Sequence, residues 1–301
     1  MAEALDDLLR CPETGAPLRR DGDAYVAPDG RRWPIVRGVP RFVPDDAYVG
    51  SFSFEWNTHP TTQLDARTGA GWSEEILRAK TGLSPEDVRG KVVLDAGVGA
   101  GRFSDLMARW GAARVVGVDL SLAVEAARDN LRAHANASVV QADIGRLPFA
   151  PATFDLVVSI GVLHHTSDTR AHFERLVPLL RPGGTICVWV YPHEGAYLQR
   201  NAWIPFTRRL PPARFHRWCR WFVPFARRHR RRVLVQYALQ LFPISDQGLG
   251  LDNDVLDTFD AYSPWYHGTH TPDEVVGWFE AAGLEDVRVL PWDTAVRGRR
   301  P

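Results

Sequence analysis

The sequence predicts an α/β protein. Its core is a doubly wound, Rossmann-like sheet of seven strands with the last antiparallel, joined by a small N-terminal β-rich module and a helical lid insertion. Three observations carry this. From Lys91 to Tyr191, runs apolar on both faces alternate with amphipathic stretches, the pattern of a parallel sheet covered by helices on both sides. The first run ends at Asp95 and enters a turn with glycine at every second position, Gly97, Gly99 and Gly101. The next two runs also end in aspartate, Asp119 and Asp143.

The elements follow in order. Residues 1–46 are dense in Pro and Gly from Leu5 to Pro44, with short strand-like pieces (AYVA, WPIV) between turns. Residues 47–90 read as a helical cap, "SFSFEWNTHPTTQLD" and "WSEEILRAKTGLSPEDV", in which Ser84 is an N-cap and Pro85 sits at N1. Residues 91–192 form the core: strands VVLDA, RVVGVD, ASVVQAD, FDLVVSI and GTICVWV, separated by helices such as RFSDLMARWG and SLAVEAARDNLRAH. Right-handed crossovers between them give the doubly wound arrangement. Residues 193–255 interrupt the alternation with an aromatic, arginine-rich stretch that has no acid between Leu198 and Leu241. Residues 256–301 resume it. Thr271 caps a helix with Pro272 at N1, Gly283 ends it, and EDVRVLP and TAVRG pair antiparallel at the sheet edge.

Composition narrows the function classes. The 36 basic and 36 acidic residues cancel, so no global field draws the chain to nucleic acid or membrane. Three cysteines do not make a disulfide framework, and a reducing cytoplasm is the expected location. The acidic start MAEALDDLLR does not read as a signal peptide. No apolar run approaches the roughly 18–20 residues of a membrane span.

The glycine turn reads G-x-G-x-G. A dinucleotide fingerprint would need G-x-G-x-x-G, but Arg102 occupies the third place after Gly99, and no Gly-Lys-Ser/Thr follows to make a P-loop. Asp119 at the second strand's end is placed to accept both hydroxyls of a ribose. Asp143 is placed to accept an exocyclic amine such as adenine N6. A nucleoside with a group other than pyrophosphate is implied, and S-adenosylmethionine fits.

On these residues the core from Val92 to Val190 resembles the class I S-adenosylmethionine-dependent methyltransferases. "LDAGVGAGRFS" is similar to the family's glycine motif, "VVGVDLS" to its ribose motif and "QADIGRLPF" to its adenine motif. "FDLVVSIGVLHHTSD" and "LLRPGGTICVWVY" are similar to the segments after strand four and before strand five. The resemblance implies that Asp95, Ala96, Gly97, Gly99 and Gly101 wrap the methionine portion and Asp119 holds the ribose. It implies that Leu120 packs on adenine, Asp143 and Ile144 read its edge, and Ile160 and Gly161 lie beneath the cofactor. Arg102 is either a partner of the methionine carboxylate or a solvated first-turn arginine.

The flanks carry weaker resemblances. "LLRCPETGAPLRR…WPIVRGVPRFVPDD" is similar to the small zinc-ribbon family that includes methyltransferase activators, but Thr14 stands at the second ligand position. One cysteine, Cys11, cannot hold structural zinc, so a metal-free packing or partner surface is expected. "FSFEWNTHPTTQLD" and "DTFDAYSPWYHGTHTPDEV" are similar to segments of a bacterial subgroup often encoded with polysaccharide or natural-product genes. There they are expected to close over the site, which makes Trp56, Gln63, Tyr262, Tyr266, His267 and His270 pocket candidates, against the plainer reading of a core under a long loop. In the insertion, Trp218, Trp221, Phe222 and Phe225 recur at helical spacing among arginines. Three readings compete, in this order: a lid or homodimer helix with solvated arginines, a site for an anionic or carrier-bound substrate, and a membrane-surface helix. Neither nucleic acid nor membrane is the expected partner.

Methyl transfer is an in-line displacement at an activated carbon, and a general base helps when the acceptor is a hydroxyl, amine or acidic carbon. His164 and His165 follow strand four at the acceptor side of this fold, with Tyr191, Tyr266 and His270 as rivals. No metal-ligand spacing is found. The expected function is methyl transfer from S-adenosylmethionine to a small molecule in bacterial secondary or polysaccharide metabolism. Two alternatives share the fold: intramolecular cyclisation that releases methylthioadenosine, and a cofactor-binding partner or activator without turnover.

Overall fold

The computed structural model describes residues 5–43, 50–65, 69, 71–246, 248 and 250–301. Pro44 and the expected boundary at 46/47 lie outside the described residues. Strands β1 (Arg19–Asp21), β2 (Ala24–Val26), β3 (Arg32–Val36) and β4 (Val39–Pro40) form an antiparallel meander. The main sheet contains β5 (Val92–Ala96), β6 (Arg114–Asp119), β7 (Ala137–Gln141), β8 (Phe154–Ile160), β9 (Leu180–Trp189), β10 (Glu285–Val289) and β11 (Ala295–Arg299). Its order is β10-β11-β9-β8-β5-β6-β7. β11 runs antiparallel to β9, as the sequence predicts. The inner strands are buried on both faces, and every residue of β7 is buried, which explains their lack of alternation, whereas the edge strand β10 is exposed.

Helices α1 (Gly50–Thr58), α2 (Trp72–Thr81) and α3 (Pro85–Val88) precede the sheet. Helices α4 (Arg102–Arg109), α5 (Ala123–Leu131) and α6 (Thr169–Leu176) are its crossovers. The insertion holds α7 (Gly195–Asn201), α8 (Ile204–Thr207), α9 (Pro212–His229), α10 (Val233–Leu241) and α11 (Leu251–Asp260), and α12 (Pro272–Ala281) returns to the sheet. Thr271 Oγ1 accepts from the Glu274 N–H, and the Glu274 side chain accepts from the Thr271 N–H (2.8 Å), completing the expected capping box. α11 runs across the domain boundary expected at 255/256. It packs on α9, and Phe215, Cys219 and Val223 meet Val255, Phe259 and Tyr262 in a core separate from the sheet's.

The N-terminal meander has a structural task. β7 is the edge of the main sheet, and an uncovered edge is a template for unwanted pairing. The Phe42 N–H donates to the Gln141 carbonyl (2.8 Å), Arg41 Nη1 donates to Gln141 Oε1 (2.9 Å), and Arg41 also pairs with Glu125. The meander's last residues therefore occupy that edge. Cys11 is buried, and its thiol donates to Glu13 (3.3 Å). Among the described residues no group of His, Cys, Asp or Glu is placed to share a metal ion, and no helix is long and apolar enough to cross a membrane.

Candidate functional site

The chain leaves β5, builds outward through β6 and β7, then returns to the other side of β5 as β8. The connections diverge there, which opens a crevice at the carboxyl ends of β5 and β8. The glycine turn lies in that crevice. Gly97, Gly99 and Gly101 have φ of 97°, 51° and 91°, a region that only glycine enters freely. A Cβ on Gly97 would stand 2.2 Å from Val162 Cγ2, so the turn lies directly against the loop after β8. A Cβ on Gly99 would stand 3.2 Å from the Trp56 ring, so α1 covers the turn from the other side.

Asp119 joins the turn to the second strand. Its Oδ2 accepts from the Gly99 N–H (3.0 Å), and its Oδ1 accepts from the N–H and hydroxyl of Ser121 (2.9 and 2.7 Å). Burial pushes its pKa above the usual carboxylate value. Asp95 sits deeper. The Ser104 hydroxyl donates to it (2.7 Å), and burial pushes its pKa up to about 7.

One cavity joins these parts. Of the expected cofactor residues, Gly97, Gly99, Arg102, Asp119, Leu120, Asp143, Ile144, Ile160, Gly161, Trp56 and Gln63 line it. Asp95, Ala96 and Gly101 stand behind the lining: Asp95 and Ala96 are buried in the strand end, and Gly101 packs against Leu131 and Ala127. Asp143 also caps the turn that follows it, accepting from the Gly145 N–H (2.7 Å). Arg102 is drawn out of solvent, donating to Gln63 Oε1 (2.6 Å), while Gln63 Nε2 donates to Asp257 (3.2 Å). Burial holds the Arg102 pKa down at about 10.

The expected catalytic residues separate. His165 and Tyr191 line the cavity. His165 Nδ1 lies 2.9 Å from the Tyr266 carbonyl oxygen and must donate to it, so Nε2 is the acceptor nitrogen. That Nε2 is buried without a partner, and burial holds the ring's pKa below the usual histidine value. The other three are withdrawn. His164 is fully buried, stacked on Tyr191 at 3.7 Å, and its Nδ1 accepts from the Tyr191 N–H (3.3 Å). Tyr266 lends its backbone carbonyl to His165 and is not among the lining residues. His270 is turned toward α6 and α12, 3.1 Å from Thr169 Oγ1 and packed edge-on to Trp278. The Tyr262 ring is buried and stacked on Phe242 at 4.0 Å, away from the lining, whereas His267 packs 5.0 Å from Tyr191.

Among the lining residues that the sequence does not single out are Glu55, Lys80, Asp257 and Asp260. Glu55 is buried, both its carboxylate oxygens lack a partner, and burial and Asp260 push its pKa well above the usual value. Asp257 and Asp260 share one face of α11. Burial and its neighbour Asp260 push Asp257 up to about 7, and Asp260 accepts from the Tyr191 hydroxyl (3.0 Å). Lys80 Nζ lies 3.1 Å from the Trp189 ring centroid, and burial pulls its pKa far below the usual lysine value. The signal was partial. Glu55 adjoins Trp56, and both aspartates lie within "DTFDAY", so the segments were flagged for their aromatics while the acids between them were passed over.

Residues 94–188 match the family described as "Methyltransferase domain". The match spans the core from β5 to β9. Two curated relatives are similar to part of this chain. A tRNA U34 carboxymethyltransferase of Ruthia magnifica is 28% identical over 135 residues, 44% of this chain and 42% of the relative. A ubiquinone biosynthesis O-methyltransferase of Neisseria meningitidis is 28% identical over 146 residues, 46% of this chain and 60% of the relative. The chain thus spans about half the length of the curated relatives it matches. A solved S-adenosylmethionine-dependent methyltransferase of Mesorhizobium loti is 30% identical over 38% of this chain and 50% of its own, with a TM-score of 0.34. The residues present fit S-adenosylmethionine: a turn without Cβ atoms, a fixed carboxylate beside it, and a second carboxylate at Asp143, all open to one cavity.

Proposed function

We propose that the protein transfers a methyl group from S-adenosylmethionine to a small molecule held between His165, Tyr191 and the acids of α1 and α11. The observation that carries this reading is the Asp119 carboxylate, anchored by the Gly99 N–H and open to the same cavity as the glycine turn. Asp119 would hold the ribose, Asp143 the adenine edge, and Arg102 with Gln63 the methionine carboxylate. When bound, the cofactor supplies an electrophilic methyl group. Leu120, Ile160 and Trp56 exclude water around it.

His165 is the general base in this proposal. Its Nδ1–H is committed to the Tyr266 carbonyl, so the lone pair on Nε2 takes the proton that the acceptor's oxygen or nitrogen loses as its bond to carbon forms. Tyr191, fixed through its hydroxyl to Asp260, orients the acceptor. We place the acceptor among the small molecules of bacterial secondary or polysaccharide metabolism, a reading that rests on the resemblance of the flanking segments to that bacterial subgroup. The buried, free cysteines support a reducing, cytoplasmic setting. We read the N-terminal meander as a metal-free relative of a zinc ribbon, kept for covering the β7 edge.

Calorimetry with S-adenosylmethionine tests the cofactor. The reading fails without saturable binding. Chromatography of the spent nucleoside tests the reaction: S-adenosylhomocysteine supports methyl transfer, and methylthioadenosine would replace it with the cyclisation reading.

A further inference from the structure

The arginine-rich insertion presents an apolar face to solvent. α9 carries two apolar stripes. Phe215, Cys219 and Val223 are buried against α11. Trp218, Trp221 and Phe225, at the spacing of a single helical face, are exposed on the outer side. The outer rings form a continuous seam. Trp221 stacks on Phe225 (5.6 Å), Trp218 stacks on Phe222 (4.5 Å), and Phe242 meets both Trp218 (5.0 Å) and Trp203 (5.7 Å). α10 adds Leu234, Tyr237 and Leu241 along one face, with Leu234 83% and Leu241 67% exposed. An exposed patch of this kind marks a surface that something covers.

Charge decides what covers it. Residues 195–245 contain eleven arginines and no acid. Arg227 and Arg230 pair with Asp246. The exposed Arg214, Arg217, Arg220, Arg228, Arg231 and Arg232 have no carboxylate partner among the described residues. A second copy of the chain would lay this cationic face against its own image, which like charges oppose. An acidic protein would meet the arginines but would also need a preformed pocket for each protruding apolar side chain. A bilayer needs none. Its acyl boundary takes Trp, Phe and Leu at any register, while arginine heads reach the phosphates.

We propose that this face seats the protein on an anionic lipid bilayer. The seat is peripheral, since among the described residues no helix is long and apolar enough to cross. It also reaches the cavity wall: Arg200 and Ser245, near the two ends of the insertion, line the cavity. The zero net charge that argued against a membrane is a whole-chain sum, and it hides a segment with one sign only. The proposal goes beyond methyl transfer and does not depend on it.

Co-sedimentation of the full chain with phosphatidylcholine vesicles, with and without phosphatidylglycerol, tests the seat. The expected result is binding to the phosphatidylglycerol vesicles alone, weakening as salt is raised. Trp221→Ser with Leu234→Ser should lower the apparent affinity by about tenfold or more. Arg228→Ser with Arg231→Ser and Arg232→Ser should lower it by about a hundredfold. Circular dichroism and the thermal unfolding midpoint of both variants report their folding. Absence of binding by the natural sequence at low salt overturns the proposal. So does equal binding by either folded variant, or dimerisation through this face in place of vesicle binding.

Discussion

His165 Nδ1 lies 2.9 Å from the backbone oxygen of Tyr266, and this contact decides which ring nitrogen carries the proton. The two residues are far apart in the chain, and the donor comes from the turn after β8 while the acceptor comes from the loop after α11. Both rings of the adjacent pair keep an unpartnered Nε2, but His164 is fully buried with its Nδ1 accepting from the Tyr191 N–H, and of the two only His165 lines the cavity. Neighbours in the sequence thus take different places in the fold.

If His165 is the base, His165→Asn lowers kcat by about 100-fold or more and leaves cofactor affinity unchanged. Because burial depresses its pKa, the neutral base persists below the usual histidine range. The natural protein should therefore hold its rate as pH falls to the mid-sixes and lose it only below that. Steady-state rates across pH, with calorimetry at each end, check both points.

Asp119→Asn keeps the size of the side chain and removes its charge. A hydrogen bond to a charged group contributes about 1.5–3 kcal/mol, so affinity for S-adenosylmethionine should fall by about tenfold or more. Calorimetry measures this directly, and unchanged affinity would contradict the placement of the ribose.

Asp95 links stability to pH. Its folded pKa, about 7, stands above the ordinary value of 3.8 because the carboxyl is buried. The folded chain therefore holds a proton that the unfolded chain releases between these values. Stability from this group is full below the unfolded pKa and is lost as pH rises through about 7. Asp95→Asn can still accept from Ser104, so without cofactor it should raise Tm by a few degrees at pH above 8. Near pH 4 the difference should vanish. Thermal unfolding of the two proteins at both pH values is the check.

Gly97→Ala meets two penalties, a φ of 97° and a Cβ 2.2 Å from Val162. The strained backbone alone costs on the order of 1–3 kcal/mol. Val162→Ala in the same chain should recover much of the steric part, its own Cβ still standing 2.8 Å from the new one, and leave the backbone part. Denaturant midpoints of the single and double variants separate the two.

The seven strands, the capped helix at Thr271 and the antiparallel β11 were legible because each is written in local periodicity or turn chemistry. The glycine turn and Asp119 were legible for a related reason, since their partners lie within one β-α-β unit. Glu55, Lys80, Asp257 and Asp260 were not. They come from α1, α2 and α11, and nothing along the chain records that these helices meet over one cavity. His270 was chosen for its residue type, yet packing turned it toward Trp278.

Sequence alone was enough for the doubly wound sheet and for the glycine turn beside Asp119, because a 2-residue or 3.6-residue rhythm and a turn with glycine at every second place are properties of neighbouring residues. The acceptor side was decided by the folded chain. There the charge on a carboxyl, the tautomer of a ring and the direction of an aromatic face depend on groups brought together from opposite ends of the protein.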